Sequence, residues 1–190
     1  MTFNAISIIR STWEALGVLW LIGYAFTKPV IRAQSIGSRL FTIAVAFLGF
    51  VFLGGPWLEH GWMAARFVPA THDVGLAGLV LTVAGALFAA WARVTLGTNW
   101  SGRATVKAGH ELVVTGPYAL ARHPIYSGLL LAIAGTALAI GEWRCIGGIL
   151  LIFIAFAAKM SQEERLMMQA FPQAYPDYRQ RVKALIPGVL

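Results

Sequence analysis

The chain has 190 residues, 58% of them hydrophobic and only 12% charged, with a mean hydropathy of +0.69. Soluble domains carry about 25% charged residues, so this composition excludes an ordinary soluble globule. The formal charge of +7 does not indicate a nucleic-acid partner, because the cations stand in short clusters between apolar runs, as they do at the flanks of membrane helices.

Taken in order, the first apolar segment runs from about Thr12 to Phe26 and ends at Lys28-Pro29. It needs Ile6, Ile8 and Ile9 to approach the roughly 20 residues of a bilayer span. Its basic flank is thin and no small-residue cleavage pattern follows, so it reads as a retained helix rather than a signal peptide. The second segment spans about Leu40 to Trp57, closed by Pro56, with Trp57 and Trp62 at the interface. The third spans about Val74 to Val94, and its Gly75, Gly78 and Gly85 permit close helix approach. The fourth runs from about Ile125 to Ile140 and the fifth from Cys145 to Met160. Gly141-Glu142-Trp143 is a tight turn between them, which predicts an antiparallel hairpin. Cys145 is the lone cysteine, so no intrachain disulfide can form.

The expected fold class is therefore all-α: an integral membrane protein of about five transmembrane helices forming one domain, 1–190, with a cytoplasmic linker. The tail from Ser161 has apolar residues at helical spacing (Leu166, Met167, Ala170, Phe171) and predicts an amphipathic C-terminal helix at the interface. Either Ser161 starts that helix, with Glu163 and Glu164 in its first turn, or the fifth helix continues out of the membrane. With five spans, the loop after the first helix, the central segment and the C-terminus share one side. That side receives twelve of the cations and the other three, Arg10, Arg66 and Arg144. The positive-inside rule then places the central segment and the C-terminus in the cytoplasm.

Polar chemistry concentrates in the central segment, LGTNWSGRATVKAGHELVVTGPYALARHPIY, residues 96–126. A bilayer gains nothing from such a stretch, whose polar groups need water or internal partners, so it reads as a binding site on a helical scaffold. Each feature also has a plain structural reading. Arg122-His123-Pro124 suits the start of a helix, with Pro in the first turn, and Tyr118 and Tyr126 suit an interfacial belt. Glu163-Glu164 could be solvated charge, or could hold a cation or a ribose hydroxyl. His110 and His123 have no cysteine or carboxylate at ligand spacing, so no metal is expected. Gly97, Gly102 and Gly109 match neither glycine-rich phosphate fingerprint.

Three motifs in combination go further: LGTNWS, then GHELVVTGPYALARHPIYSG, then EERLMMQAFPQAYPDYRQRVKALIP. Together, over about Val94 to Pro187, they closely resemble the isoprenylcysteine carboxyl methyltransferase family. The resemblance implies a membrane O-methyltransferase that uses S-adenosylmethionine in a cytosol-facing pocket, with residues 95–187 as catalytic core and 1–94 as N-terminal helices. It implies that His110, Glu111, Leu112 and Val113 line the cofactor site, completed by Tyr118, His123, Pro124, Ile125, Tyr126 and Glu163, with Glu164 nearby. The acceptor it implies is a lipophilic or lipidated molecule entering from membrane lipid. Lys159 stands where the family carries an arginine that holds the substrate carboxylate, keeping the charge but not the planar fork; Arg93 is a second candidate anion contact. The RHPxY piece also occurs in membrane sterol reductases, so an NADPH-dependent reductase is one alternative and a non-catalytic membrane subunit another.

Overall fold

The computed structural model of the chain describes residues 4–27, 30–33, 35–100, 105–107 and 111–188. Its long helices are α1 (Ala5–Ala25), α2 (Ile36–Gly54), α3 (His72–Leu96), α4 (Pro124–Ile140) and α5 (Trp143–Ala170). Four of them are long and apolar enough to cross a membrane, and α4 is a shorter apolar helix of 17 residues. Their outward faces carry exposed large apolar side chains such as Leu21, Phe47, Val80, Leu87 and Leu150, the surface expected against lipid. The chain is a multi-pass integral membrane protein.

Capping explains where the helices begin. Asn4, Ser35 and Thr71 each accept a hydrogen bond from the backbone N–H three residues on, satisfying a donor that the helix itself leaves open. This starts α1 early enough to include Ile6, Ile8 and Ile9, and starts α2 four residues before the apolar run. The turn between α4 and α5 rests on Gly141, whose φ of 73° is a left-handed conformation natural to glycine. Phe67 and Trp143 N–H groups bond across to Gly141 and Ala65 carbonyls. Arg66 donates to the exposed carbonyl of Ile140, and buried Arg144 pairs with Glu142 and with Glu59 at 3.8 Å. Two of the three cations counted on that side are thus fixed at the hairpin end.

Tight packing is concentrated at two helix pairs, α3 with α4 and α2 with α5. Gly78 and Gly85 of α3 face Gly135 and Gly128 of α4 at matching seven-residue spacing. A Cβ on Gly85 would come within 2.5 Å of the Gly128 carbonyl, and one on Gly135 within 2.5 Å of the Thr82 N–H. Backbones this close gain dispersion contact that larger residues would forbid. Beside them Thr82 donates to the Gly78 carbonyl at 2.8 Å, Thr136 to Ala132 at 2.9 Å, and Trp13 of α1 to Thr136 at 3.0 Å. Gly49 and Gly148 make the corresponding approach between α2 and α5.

One departure from helix is a short ribbon. β1 (Val30–Ala33) pairs antiparallel with β2 (Thr105–Lys107), Arg32 opposite Val106, tying the loop after α1 to the central segment. The C-terminal region resolves the alternative left by the sequence. The fifth helix continues without a break to Ala170, so Ser161 starts nothing, and Glu163 and Glu164 lie inside a helix rather than in its first turn. Pro172 follows, disfavouring helical conformation at Phe171, and a separate α6 (Ala174–Arg181) folds back over the end of the bundle.

Candidate active site

The C-terminal part of α1, the end of α3, the start of α4, the C-terminal half of α5 and α6 meet at one end of the bundle. They enclose a cavity of about 230 Å³. Along α5 the wall is one helical face: Phe156, Lys159, Glu163 and Met167, at steps of three, four and four residues. Its lining combines apolar side chains, Trp20, Leu96, Leu129 and Phe156, with Glu111, Glu163, His123 and the phenols of Tyr118, Tyr126, Tyr175 and Tyr178. The two kinds interleave, Tyr118 packing with Trp20, Leu96 and Leu129, and Tyr126 lying 4.9 Å from the Phe156 ring.

His123 occupies the position before α4, and Pro124 is its first residue. Proline keeps His123 out of helical conformation and loses nothing at a position whose N–H has no helical partner. The freed backbone pairs instead with the tail: Arg122 and His123 N–H groups donate to Lys183 and Ala184 carbonyls at 2.8 and 2.9 Å, and Ser127 Oγ donates to Leu185 at 2.7 Å. This places the imidazole between two neighbouring carboxylates of α5. Its Nδ1 is 3.6 Å from Glu163 Oε2 and its Nε2 is 3.3 Å from Glu164 Oε1. Burial opposes charge on His123, yet the hydrogen bonds and charges of Glu163 and Glu164 outweigh it and raise the imidazole pKa.

The two glutamates face different partners. Glu163 lines the cavity, accepts from the Tyr126 hydroxyl at 2.7 Å and lies 3.8 Å from Lys159 Nζ. The ammonium also lies 5.5 Å from the centre of the Tyr126 ring. Glu164 does not line it. Its Oε1 accepts from Arg122 Nε at 3.0 Å and Nη2 at 2.6 Å, and its Oε2 lies 3.5 Å from Arg179. Arg122 Nη1 continues to the Val182 carbonyl at 2.6 Å. Glu164 therefore fastens the C-terminal strap, and α6 lays Tyr175 and Tyr178 over the cavity. Tyr178 donates to the Tyr118 carbonyl at 2.6 Å. Burial pushes the Tyr178 phenol up to about 12 and that of Tyr118 higher still, so both are neutral near pH 7. Tyr178→Phe removes the bond to Tyr118, worth about 1 kcal/mol. The expected result is faster proteolytic clipping of the strap in detergent and a lower thermal midpoint; unchanged protection would show that the remaining contacts, through Arg122, Ser127, Glu164 and the tail backbone, hold the strap without this bond.

Of the residues expected from sequence, Glu111, Leu112, Val113, Tyr118, His123, Pro124, Ile125, Tyr126, Lys159 and Glu163 line the one cavity. His110 lies outside the described residues. Arg93 is buried but is not in the lining. Its guanidinium sits 4.3 Å from the centre of the Trp100 ring, donates to the Gly97 carbonyl at 3.0 Å, and rests against Gly23 of α1, where a Cβ would come within 2.9 Å of Cζ. Its place is behind Trp100, as support for the wall. The sequence reading missed Trp20, Trp100, Phe156, Met167, Tyr175 and Tyr178 as lining residues. The α5 pair was detectable from its spacing relative to Glu163; Trp20, more than a hundred residues away in the chain, left no local signal. Among the described residues no group of three or more His, Cys, Asp or Glu side chains could hold a metal ion.

Comparison with known proteins identifies the chain's relatives. The model of the isoprenylcysteine carboxyl methyltransferase family matches residues 78–169. The chain is 30% identical over 168 residues to a probable protein-S-isoprenylcysteine O-methyltransferase of Oryza sativa subsp. indica, covering 85% of this chain and 83% of that one. It is 28% identical to protein-S-isoprenylcysteine O-methyltransferase B of Arabidopsis thaliana, covering 70% of this chain and 64% of the relative. Among solved structures, the eukaryotic intramembrane Ras methyltransferase ICMT superposes with a TM-score of 0.55 at 24% identity, over 80% of this chain and 51% of that one. That likeness establishes the shared fold.

Proposed function

Because the chain belongs to the isoprenylcysteine carboxyl methyltransferase family, we propose that it transfers a methyl group from S-adenosylmethionine to a carboxylate oxygen of a lipophilic, isoprenylcysteine-like acceptor. The observation that carries the reading is a single cavity whose lining joins carboxylates and phenols to apolar walls, with Lys159 3.8 Å from Glu163 on the same helical face. Residues 95–187 form the catalytic core on this reading, with Trp20 of the scaffold adding to the cavity wall. The twelve-to-three distribution of cations supports a cytoplasmic position for the cavity and the C-terminal strap.

The donor set fits the cofactor. S-adenosylmethionine supplies an electrophilic methyl group on a sulfonium, a cation that suits an aromatic and carboxylate lining. Glu163 and Glu111 offer acceptors to ammonium or ribose hydroxyl groups. Tyr118 and Tyr126 present ring faces and neutral hydroxyls, and Leu112 and Val113 present backbone and apolar surface. His123 and Tyr126 hold the Glu163 carboxylate in one orientation. Lys159, beside Glu163 and the Tyr126 ring, orients the acceptor's negative charge. A carboxylate is already ionised near neutral pH and needs no general base, so the protein contributes proximity, alignment and exclusion of water. The strap of α6, buried through Tyr175 and Tyr178, supplies the last of these.

The testing experiment is calorimetric titration of S-adenosylmethionine, S-adenosylhomocysteine and NADPH into detergent-solubilised full-length protein. Binding of the two adenosyl ligands supports the reading, whereas binding of NADPH alone would overturn it in favour of a reductase. For the acceptor, Lys159→Ala should raise KM for a prenylated cysteine carboxylate by at least about tenfold, the size of one charged hydrogen bond; unchanged turnover parameters would remove Lys159 from that role.

A further inference from the structure

Beside the cavity, the neighbouring face of α5 builds a second groove of a different character. Met160, Ser161, Glu164, Arg165 and Met168 form one side, and Arg122 and Arg179 close the other. Three guanidinium groups meet one carboxylate there, so two positive charges are uncompensated within the groove. The Arg122–Glu164 pair, at 2.6 Å, neutralises itself. Arg165 is exposed and its nearest side-chain partner is the uncharged Ser161 hydroxyl, at 3.3 Å. Among the described residues Arg179 makes a 3.5 Å ion pair to a Glu164 already shared with Arg122 and His123, and its side chain is 54% exposed.

The depth of the groove follows from helix geometry. An α-helix rises about 1.5 Å per residue, so about 20 residues cross a hydrocarbon core about 30 Å thick. Counted from the α5 N-terminus at Trp143, the hydrocarbon boundary falls near Gln162, one turn from Arg165. The cations of the groove therefore stand at headgroup level. Met160, buried, and Met168, partly exposed, place flexible apolar surface beside them, where a glycerol backbone and the start of acyl chains would lie.

We infer that this groove is a binding site for an anionic phospholipid, whose phosphate is held by Arg165 and Arg179. The guanidinium fork matches phosphate oxygens two at a time and is less strongly hydrated than an ammonium. A zwitterionic lipid carries its own ammonium beside the phosphate and so gains less from two uncompensated arginines. The groove is distinct from the methyl-transfer cavity but shares Arg122 with its wall, and it is inferred without reference to what that cavity binds. Occupancy would draw Arg179 toward the headgroup, at the strap's own fastening to Glu164, so the lipid would bear on the segment that covers the cavity.

Native mass spectrometry of the full chain in an uncharged detergent tests this, titrating phosphatidylglycerol and phosphatidylcholine of identical acyl chains. The expected result is a first bound phosphatidylglycerol favoured over phosphatidylcholine, reduced about fivefold by Arg165→Gln, in keeping with the worth of one arginine near an anionic surface. Arg165→Lys, which keeps the charge, should recover part of the preference. Equal binding of the two lipids, or full phosphatidylglycerol binding by Arg165→Gln, would overturn the proposal. Displacement of the lipid by inorganic phosphate at equal concentration would also overturn it, since the groove would then be a site for a soluble anion. The wild-type comparison of the two lipids decides the matter even should Arg165→Gln fail to accumulate. No arm of the experiment uses a methyl donor, so its failure is distinct from any failure of the methyltransferase reading.

Discussion

Glu163→Gln should weaken S-adenosylmethionine binding between about 10- and 150-fold, the range given by a charged hydrogen bond of about 1.5–3 kcal/mol. Glutamine keeps the shape and an oxygen for the Tyr126 hydroxyl, which now donates to Glu163 at 2.7 Å. It removes the negative charge on which His123 and Lys159 converge, at 3.6 and 3.8 Å. Two cations would then border the cavity with less to balance them, and a cationic ligand would meet that surplus directly. Calorimetry with the adenosyl pair reports on how the carboxylate acts. If S-adenosylmethionine loses more than the neutral thioether S-adenosylhomocysteine, the charge acts at the sulfonium; if both lose equally, it acts at the ammonium or ribose that they share. Unaltered affinity for both would remove Glu163 from the site. A thermal scan of the same variant separates lost binding from lost fold.

Gly85→Val should cost about 3 kcal/mol or more, at or above the upper end for overpacked cores. The atoms in the way are backbone and cannot rotate aside: a Cβ at Gly85 would stand 2.5 Å from the Gly128 carbonyl and 3.0 Å from the Ala132 Cα. Accommodating it requires α3 and α4 to separate, which breaks the contact along their whole length. Because α4 begins at Pro124, with His123 as its cap, the shift would carry His123 and Tyr126 away from Glu163. Both the thermal midpoint and adenosyl-ligand binding should therefore fall. Gly17→Ala on α1, where no atom lies within 4 Å of the added carbon, is the control and should leave both unchanged or slightly raise the midpoint. A wild-type midpoint for Gly85→Val would show that the helices tolerate a wider spacing than their glycines imply.

The strap gives the site a division of labour between adjacent residues. Glu163 faces the cavity, while Glu164 fixes Arg122, His123 and Arg179. His123 touches both, so the imidazole couples the cavity wall to the fastening of the C-terminal segment. Its raised pKa favours the imidazolium, which the two carboxylates surround. Neutralising any one member leaves charge uncompensated in a buried setting, which costs more than the pair gains.

Much of this was determined by the sequence alone. Hydropathy is a local property, so the apolar runs and the polar stretch between the third and fourth of them could be read directly, and the helix count followed. Charge bias sets an expected sidedness by the same local reasoning. Gly78 and Gly85 were recognisable as close-approach residues, though Gly75, expected with them, makes only an ordinary 3.7 Å contact to Ala5, and the motif from Glu111 to Tyr126 marked residues that line the cavity. Helix ends shifted where a single capping side chain, Ser35 or Thr71, extended the apolar run. The tertiary structure decided what depends on distant neighbours. Successive helical residues point about 100° apart, so which of Glu163 and Glu164 faces a ligand is settled only by what packs on each side of α5. Trp20 enters the wall because α1 rests against α3, and Tyr178 because α6 folds back onto Tyr118. The arginine groove has the same origin, joining Arg122, Arg165 and Arg179 from three separate stretches of chain; periodicity marks the face of one helix but carries no information about which other helix comes to meet it.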